Sequence, residues 1–226
     1  MKIPDFKSPR TFEIKHTHAS IVLGSYPLSF KVKKAVELGC GNAVSSLLMA
    51  LSNCQVERIV AVDVDELACK DAKEFVKLND LSERIEILRS DVIDVPKKLG
   101  YESFDFVFFN PPFHLEGKVS SDERRFIERN KDVMEEFIFS SAKVLKNGGY
   151  FRVVISPHIL LKIFSLLESR RLIPKWIVPI YGKQDGDSKL VLVEGIKNGK
   201  MGGFRIKSPI FLDQESIRTS ASRKAE

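Results

Sequence analysis

The sequence predicts an α/β fold in which a parallel sheet is covered by helices on both faces. From Val32 onward, strand-sized apolar runs alternate with helical stretches, and this alternation is typical of such a sheet. Two closely spaced glycines follow the first run, as in a turn where a strand passes into a helix beside a ligand. A pair of prolines ends the fourth run, because proline cannot continue a central strand.

The alternation assigns each element to a range of residues. Strands are expected at 34–38, 57–63, 85–89, 104–109, 149–155, 174–181 and 189–196. Helices are expected at 43–52, 66–79, 132–146 and 158–170. A strand at 12–15 and a short helix at 16–23 are predicted before this region, and an extended segment at 204–207 after it. The chain thus divides into an N-terminal segment or lid (1–30), a main domain (31–212) and a flexible basic tail (213–226).

The composition limits the classes of protein to which the chain can belong. The chain has 226 residues, of which 43% are hydrophobic and 29% charged, so it can bury one large core. The longest apolar runs are strand-sized and the N-terminus lacks the apolar centre of a secretory signal, so we expect a cytoplasmic protein that does not cross a membrane. The three cysteines, Cys40, Cys54 and Cys69, have neither metal-ligand nor disulfide spacing, so no metal site is expected.

The net charge of +6 is concentrated at the two ends of the chain. Residues 1–34 carry seven basic and two acidic side chains, and residues 197–226 carry seven and three, whereas the middle is slightly acidic. Basic ends on a nearly neutral body suit a polyanion that crosses one face of the fold. Ordinary solvated lysines would give the same balance.

Asn110-Pro111-Pro112-Phe113 is the stretch most indicative of chemistry. It follows the apolar run 104–109, and the two prolines leave carbonyl oxygens facing outward from a rigid corner. An amide oxygen and such a carbonyl can accept both hydrogen bonds of one planar amine, while the phenyl ring offers a stacking face. The pattern therefore predicts a site for the exocyclic amine of a base, with these four residues as the catalytic group. A plain Pro-Pro turn with an incidental asparagine is the alternative.

A glycine-containing turn follows the first predicted strand. Glu37, Gly39, Cys40 and Gly41 form this turn, where glycines permit close approach of a ligand to the backbone, and the small Ala43 allows helix and strand to pack. Such a turn is also compatible with a nicotinamide dehydrogenase. The spacing Gly-x-Gly-x-Ala, in place of Gly-x-Gly-x-x-Gly, and the proline corner both count against that function.

Acidic residues are expected at the ends of the next two strands. Asp63, followed by Val64, lies 22 residues after Gly41, where a carboxylate can accept both hydroxyls of a ribose. Asp91 is expected to end the third strand and to accept from an adenine amino group, with Val92 against the ring. Two further acids are expected to cap helices or lie on the surface: Asp65 and Asp94.

Together these motifs resemble those of the class I S-adenosylmethionine-dependent methyltransferases, over residues 31–196. The resemblance implies a Rossmann-like, seven-stranded methyltransferase sheet that is mostly parallel, with its last strand inserted antiparallel beside the fifth. It also implies S-adenosyl-L-methionine as cofactor. The residues implied to bind it are Glu37, Gly39, Cys40, Gly41, Asp63, Val64, Asp91, Val92 and Asn110.

Within this family, the amino-methylating branch shares the Asn-Pro-Pro-Phe motif. Residues 124–137 and 190–199 are similar to the bacterial members that methylate N6 of an adenosine beside the anticodon of a valine tRNA, which implies an RNA substrate. His114 extends the motif toward ribosomal RNA guanine-N2 methyltransferases, and protein-glutamine methyltransferases share Asn-Pro-Pro. A DNA substrate and a non-catalytic RNA-binding role are further alternatives. The candidate RNA-contacting residues are Lys118, Arg124, Arg125, Arg129, Lys131, Lys197, Lys200, Arg205 and Lys207.

Overall fold

The structure is a computed structural model that describes residues 3–9, 17–111, 121–182 and 186–212, with the backbone alone at 121–132. Its strands are β1 (Lys34–Leu38), β2 (Arg58–Asp63), β3 (Ile85–Arg89), β4 (Phe104–Phe109), β5 (Leu145–Ile155), β6 (Leu172–Tyr181), β7 (Leu190–Lys197), β8 (Arg205–Ile206) and β9 (Ile210–Phe211). Its α-helices are α1 (His18–Ser25), α2 (Val44–Ser52), α3 (Glu66–Leu78), α4 (Val95–Leu99), α5 (Ser121–Val144) and α6 (Leu160–Ser169).

The strands form one mixed sheet. Its order is β3-β2-β1-β4-β5-β7-β6, and β7 runs antiparallel to both of its neighbours. The predicted α/β class and the antiparallel insertion beside the fifth strand are confirmed. Nine strands are present in the described part of the chain, in place of the seven expected, because the two-residue strands β8 and β9 add to the outer edge of β6.

Helices pack on both faces of this sheet, and each face has its own hydrophobic core. Side chains from α1, α2 and α3 form one core, and side chains from α5 and α6 form the other. The central strands are buried on both faces, which is why β4 reads as a nearly continuous apolar run. The pattern of α3 is amphipathic instead, with Cys69, Ala72, Phe75 and Val76 buried.

Two predicted boundaries are wrong between 121 and 155. The helix that was expected at 132–146 covers Ser121–Val144, and the strand expected from 149 begins at Leu145. Leu145 already pairs with Phe104, after which the register shifts so that Tyr150 pairs with Phe106. The extra residues bulge outward around Gly148, whose φ of +74° is left-handed, so apolar periodicity could not locate the start of the strand.

Smaller differences occur elsewhere. The third strand ends at Arg89, two residues before Asp91, which instead caps a short 3-10 turn through Ile93 N. The helix expected at 158–170 begins as a 3-10 turn at Pro157–Ile159 and becomes α6 at Leu160. The predicted strand at 12–15 and the tail 213–226 lie outside the described residues.

A buried ion pair fastens α1 to the sheet. Arg152 on β5 and Glu194 on β7 are 0% and 1% exposed, and Arg152 Nε donates to Glu194 Oε2 at 2.7 Å. The remaining guanidinium nitrogens donate to the carbonyl oxygens of Leu23, Tyr26 and Pro27 at 2.8–3.2 Å. The side chain thus satisfies carbonyl groups that the end of α1 leaves without helical partners.

Removing the guanidinium from this pair is expected to destabilise the fold strongly. Arg152→Met leaves the Glu194 carboxyl group buried without its cation, so the free energy of unfolding should fall by about 3–5 kcal/mol. Arg152→Met combined with Glu194→Leu should recover part of that loss, because no uncompensated charge remains, while the three carbonyl groups at the end of α1 still lack their donor. Urea unfolding of the two variants measures both effects, and equal stabilities of the single and double variants would contradict the explanation.

Candidate active site

Three strand ends meet at one edge of the sheet. Leu38 pairs with Val62 on one side and with Phe109 on the other, so the next residues, Gly39, Asp63 and Asn110, follow strand ends in register. Adjacent strands are about 4.8 Å apart. The glycine turn, the first acid and the asparagine are therefore neighbours at the carboxyl edge, where parallel sheets bind ligands.

A cavity of about 390 Å³ opens at this edge. Of the residues predicted for the site, it is lined by Glu37, Gly39, Cys40, Gly41 and Asn110. Its other lining residues are Thr17, Ser20, Asn42, Val44, Ser45, Asp65, Ala68 and Asp71. Three carboxyl groups, and no lysine or arginine, are found among these described residues. Of these carboxyl groups, those of Asp65 and Asp71 would attract a ligand that carries positive charge.

The turn between β1 and α2 depends on its glycines. Gly39 has a φ of +68°, and a β-carbon there would lie 2.9 Å from the ring of Phe137, so a larger residue would collide with a buried side chain of α5. Gly41 has a φ of +53°, and the space where its β-carbon would lie is open to 4 Å. A ligand can therefore approach the backbone of Gly41 directly.

Glu37 is the buried acid of the cavity. It is 2% exposed, and the hydroxyl group of Ser46 donates a hydrogen bond to its carboxyl group. Burial raises the pKa of Glu37 to about 8, although its hydrogen bonds with Ser45 and Ser46 act in the opposite direction. The group therefore carries a proton over much of the neutral range. The sequence analysis did not predict Ser45 and Ser46 as partners of Glu37. The signal that could have identified them is this pair of polar residues in the otherwise apolar helix α2.

Asp63 organises the turn at the rim of the cavity. Its Oδ2 accepts from Gly41 N at 2.7 Å and its Oδ1 accepts from Asp65 N at 3.0 Å. Each carboxylate oxygen has a further lone pair for a ligand hydroxyl. Asp65 caps α3 as predicted, by accepting from Leu67 N and Ala68 N, and its position in the cavity wall was not foreseen.

The predicted adenine side lies beyond the neighbouring strand ends. Val64 is 64% exposed after β2, and Ser90 N donates to Asp63 O at 2.9 Å, so the ends of β2 and β3 are tied together. Val92 is 9% exposed and packs in the core, whereas Ile93 is 38% exposed. Val92 is thus poorly placed to lie against a ring. Ile93 is the apolar side chain available on this segment, and the sequence alone did not distinguish the two.

Helix α1 forms another wall of the cavity. Thr17 and Ser20 line it and cap the helix reciprocally, with Ser20 N donating to Thr17 Oγ1 and Thr17 N donating to Ser20 Oγ. The helix packs closely on α2 at Gly24, where a β-carbon would lie 2.4 Å from Ser45 O. The segment at 17–25 is thereby held next to the glycine turn.

Of the remaining residues predicted to act in catalysis or to contact RNA, only some lie in the described part of the chain. Pro111 is buried beside Asn110, while Pro112 and Phe113 lie outside the described residues, as does Lys118. The structure describes only the backbone of four further candidates: Arg124, Arg125, Arg129 and Lys131. Lys200 and Arg205 are exposed, Lys197 pairs with Glu102, and Lys207 lies over the Trp176 ring at 4.2 Å.

Comparison with known families agrees with this geometry. A sequence model of the methyltransferase small domain matches residues 19–170, which is most of the chain. The chain belongs to this methyltransferase family. The match extends from α1 to the end of α6 and includes the glycine turn, Asp63 and Asn110.

Relatives of this methyltransferase act on RNA according to their names. The tRNA1(Val) (adenine(37)-N6)-methyltransferase of Bacteroides thetaiotaomicron is 25% identical over 178 residues, which cover 76% of this chain and 73% of that protein. The ribosomal RNA large subunit methyltransferase G of Pseudoalteromonas translucida is 33% identical over 59% of this chain and 32% of its own length. The chain spans 56% of two other tRNA1(Val) relatives, little more than half of each.

A solved structure supports the fold of this methyltransferase. A predicted O-methyltransferase from Agrobacterium tumefaciens superposes with a TM-score of 0.70 and covers 92% of this chain and 99% of that one, at 19% identity. Among the helices of the described residues, none is long and apolar enough to span a membrane. In the same residues, no group of three or more histidine, cysteine, aspartate or glutamate side chains is arranged to hold a metal ion.

The raised pKa of Glu37 predicts a pH dependence of stability. Between its ordinary value of 4.5 and about 8, the folded protein holds a proton that the unfolded chain has released, so stability falls as the pH rises through this window. Glu37→Gln should remove that part of the slope, by at most about 3 kcal/mol between about pH 5 and pH 8. Urea unfolding at both pH values measures the change.

The exposed Glu83 provides a matched control for this substitution. Glu83→Gln should keep the slope of the wild type, since it removes an exposed carboxyl group and leaves the buried Glu37 in place. An identical slope in the wild type and Glu37→Gln would show that the carboxyl group is ionised in the folded state.

Proposed function

We propose that the protein transfers a methyl group from S-adenosylmethionine to the exocyclic N6 of an adenosine in RNA, with tRNA as the substrate class. The observation that carries this proposal is the position of Asn110 in the same acid-lined cavity as the glycine turn. The family supports methyl transfer, and the names of the relatives support RNA.

The cavity fits a cationic methyl donor better than a dinucleotide. S-adenosylmethionine carries a positive sulfur and an amino group, whereas a nicotinamide dinucleotide carries an anionic pyrophosphate that the carboxylates of Asp65 and Asp71 would repel. Glu37, Gly39, Cys40 and Gly41 would hold the amino-acid part of the donor. Asp63 would accept the ribose hydroxyls, and Val64, Asp91 and Ile93 would surround the adenine.

The bound donor supplies a methyl group that its positively charged sulfur already activates. Asn110 and Pro111 would align the acceptor, because an amide oxygen and a backbone carbonyl can accept both hydrogens of an exocyclic amine and direct its lone pair toward the methyl carbon. The nitrogen–carbon bond would form as the carbon–sulfur bond breaks, and the amine proton would then leave to solvent. Phe113 would stack on the target base, and Pro112 would keep the corner rigid.

A ribosomal RNA substrate is the second candidate. It is favoured by the 33% identity to ribosomal RNA large subunit methyltransferase G and by His114, which extends the motif. The catalytic corner would accept a guanine amino group by the same two hydrogen bonds. The choice between the substrates therefore depends on RNA contacts outside the cavity.

The acceptor is identified by labelling. Transfer of labelled methyl from S-adenosylmethionine into tRNA, ribosomal RNA and protein from a strain lacking the enzyme, followed by digestion and mass spectrometry, should yield N6-methyladenosine in tRNA. Label in N2-methylguanosine would identify the guanine as substrate. Label found only in protein would overturn the RNA assignment.

Substitution of Asn110 tests the alignment directly. Asn110→Ala should lower kcat by about 100-fold or more, as loss of one catalytic hydrogen-bonding group does elsewhere, while the Kd for S-adenosylmethionine changes little. Asn110→Asp keeps an acceptor oxygen and should retain more activity, increasing with pH as the carboxyl group ionises. Near-wild-type methylation by Asn110→Ala would exclude this role.

A further inference from the structure

A second cavity, of about 400 Å³, lies at the opposite edge of the sheet. Four chain segments enclose it: the turn before β4, the end of α5, the turn from α6 to β6, and the end of β7. Its lining residues include Tyr101, Glu102, Phe139, Lys143, Arg170, Arg171, Lys197 and Asn198. We call this cavity the basic pocket.

The basic pocket gathers cations that have few acidic partners. Lys143 Nζ and Arg170 Cζ each lie 5.5 Å from the centroid of the Phe139 ring, and both side chains are exposed, as is Arg171. Within the described residues these three form no ion pair, whereas Lys197 pairs with Glu102 at 2.9 Å. Four positive charges face one carboxylate, so the pocket is suited to bind an anion.

The backbone around the basic pocket is constrained. Glu102, Arg171 and Asn198 have φ angles of +49°, +58° and +56°, a region that non-glycine residues occupy at a cost in free energy. Asn198 N donates to Arg171 O at 2.7 Å, and Glu102 N donates to Lys143 O at 3.0 Å. These bonds hold the cationic segments at fixed positions, which lowers the entropy lost when an anion binds.

We propose that the basic pocket binds a phosphate group of the RNA substrate, with Tyr101 as a stacking surface for an adjoining base. Tyr101 is 60% exposed beside the cations, and guanidinium groups bind phosphate through paired hydrogen bonds. This inference rests on the proposed RNA substrate. It adds an RNA-binding site far from the cofactor cavity.

The distance between the active site and the basic pocket determines which ligands can contact both. Strand β4 runs from Phe104, next to the basic pocket, to Phe109, next to Asn110, and six residues span about 20 Å. A nucleoside in the active site cannot reach the basic pocket. An RNA with structure beyond the modified nucleotide can contact both, and substrate selection would then depend on the basic pocket.

The test is charge reversal of the two arginines. Arg170→Glu with Arg171→Glu should raise the Kd for an unmodified valine tRNA transcript at least tenfold. The slope of log Kd against log salt should decrease by about 0.7–0.9 for each phosphate that the variant no longer binds. The Kd for S-adenosylmethionine and the thermal midpoint should stay at wild-type values. Arg170→Lys with Arg171→Lys keeps the charge and should bind the transcript within about threefold of wild type.

The matched control is Lys73→Glu with Lys77→Glu. Both lysines are exposed on α3, which packs on the other face of the sheet, and the change in net charge is the same. The control should bind the transcript within about twofold of wild type. An equal loss of affinity in the control and the arginine variant would show a general charge effect and overturn the proposal, as would unchanged binding in the arginine variant.

Separate measurement of binding and methylation distinguishes this proposal from the proposed function. Loss of binding in the arginine variant, with a wild type that binds the transcript but methylates no RNA, would support the pocket and contradict the function. Intact transcript binding by the arginine variant, with normal methylation by the wild type, would contradict the role of the pocket and support the proposed function. A wild type that binds no transcript, or binds inorganic phosphate as tightly as RNA, would exclude an RNA phosphate in the pocket.

Discussion

Arg152 forms the hydrogen bonds on which the geometry of the cavity at the carboxyl edge depends. It is buried between β5, β7 and the end of α1, where it pairs with Glu194 out of reach of water. Its bonds fix the last turn of α1, and close packing at Gly24 then sets α1 against α2. The first residues of α1 are consequently held at the cavity wall, about 10 Å along the helix axis from the anchored end.

Acidic and basic side chains gather at opposite edges of the sheet. The carboxyl edge gathers Glu37, Asp65 and Asp71 around one cavity, and the amino edge gathers Lys143, Arg170 and Arg171 around another. The cationic methyl donor and the RNA phosphates of the proposed function would therefore be attracted to different edges of the sheet. An acidic cavity repels phosphates, so the basic pocket at the other edge would give the proposed RNA substrate a phosphate-binding site away from these acids.

The sequence predicted the succession of strands and helices and the turn at Asn110 because both are encoded locally. Buried strands read as apolar runs, and Gly39, Gly41 and Asn110 follow those runs directly. Features that depend on tertiary contacts were missed: the bulge after Leu145, the burial of Val92 and the role of Ser46. Arg152 and Glu194 each interrupt an apolar strand, and a charge at such a position was a visible sign of a buried pair.

The acidic residues around Asn110 explain why a neutral side chain suits this position. An aspartate there would add another carboxyl group to a cavity where burial already keeps Glu37 protonated near neutral pH. Such a carboxyl group would tend to hold a proton, and a protonated oxygen donates a hydrogen bond where the amine needs an acceptor. An amide oxygen accepts at every pH. In the proposed mechanism, the asparagine would therefore let an acidic cavity attract a cationic donor and still present an acceptor to the amine.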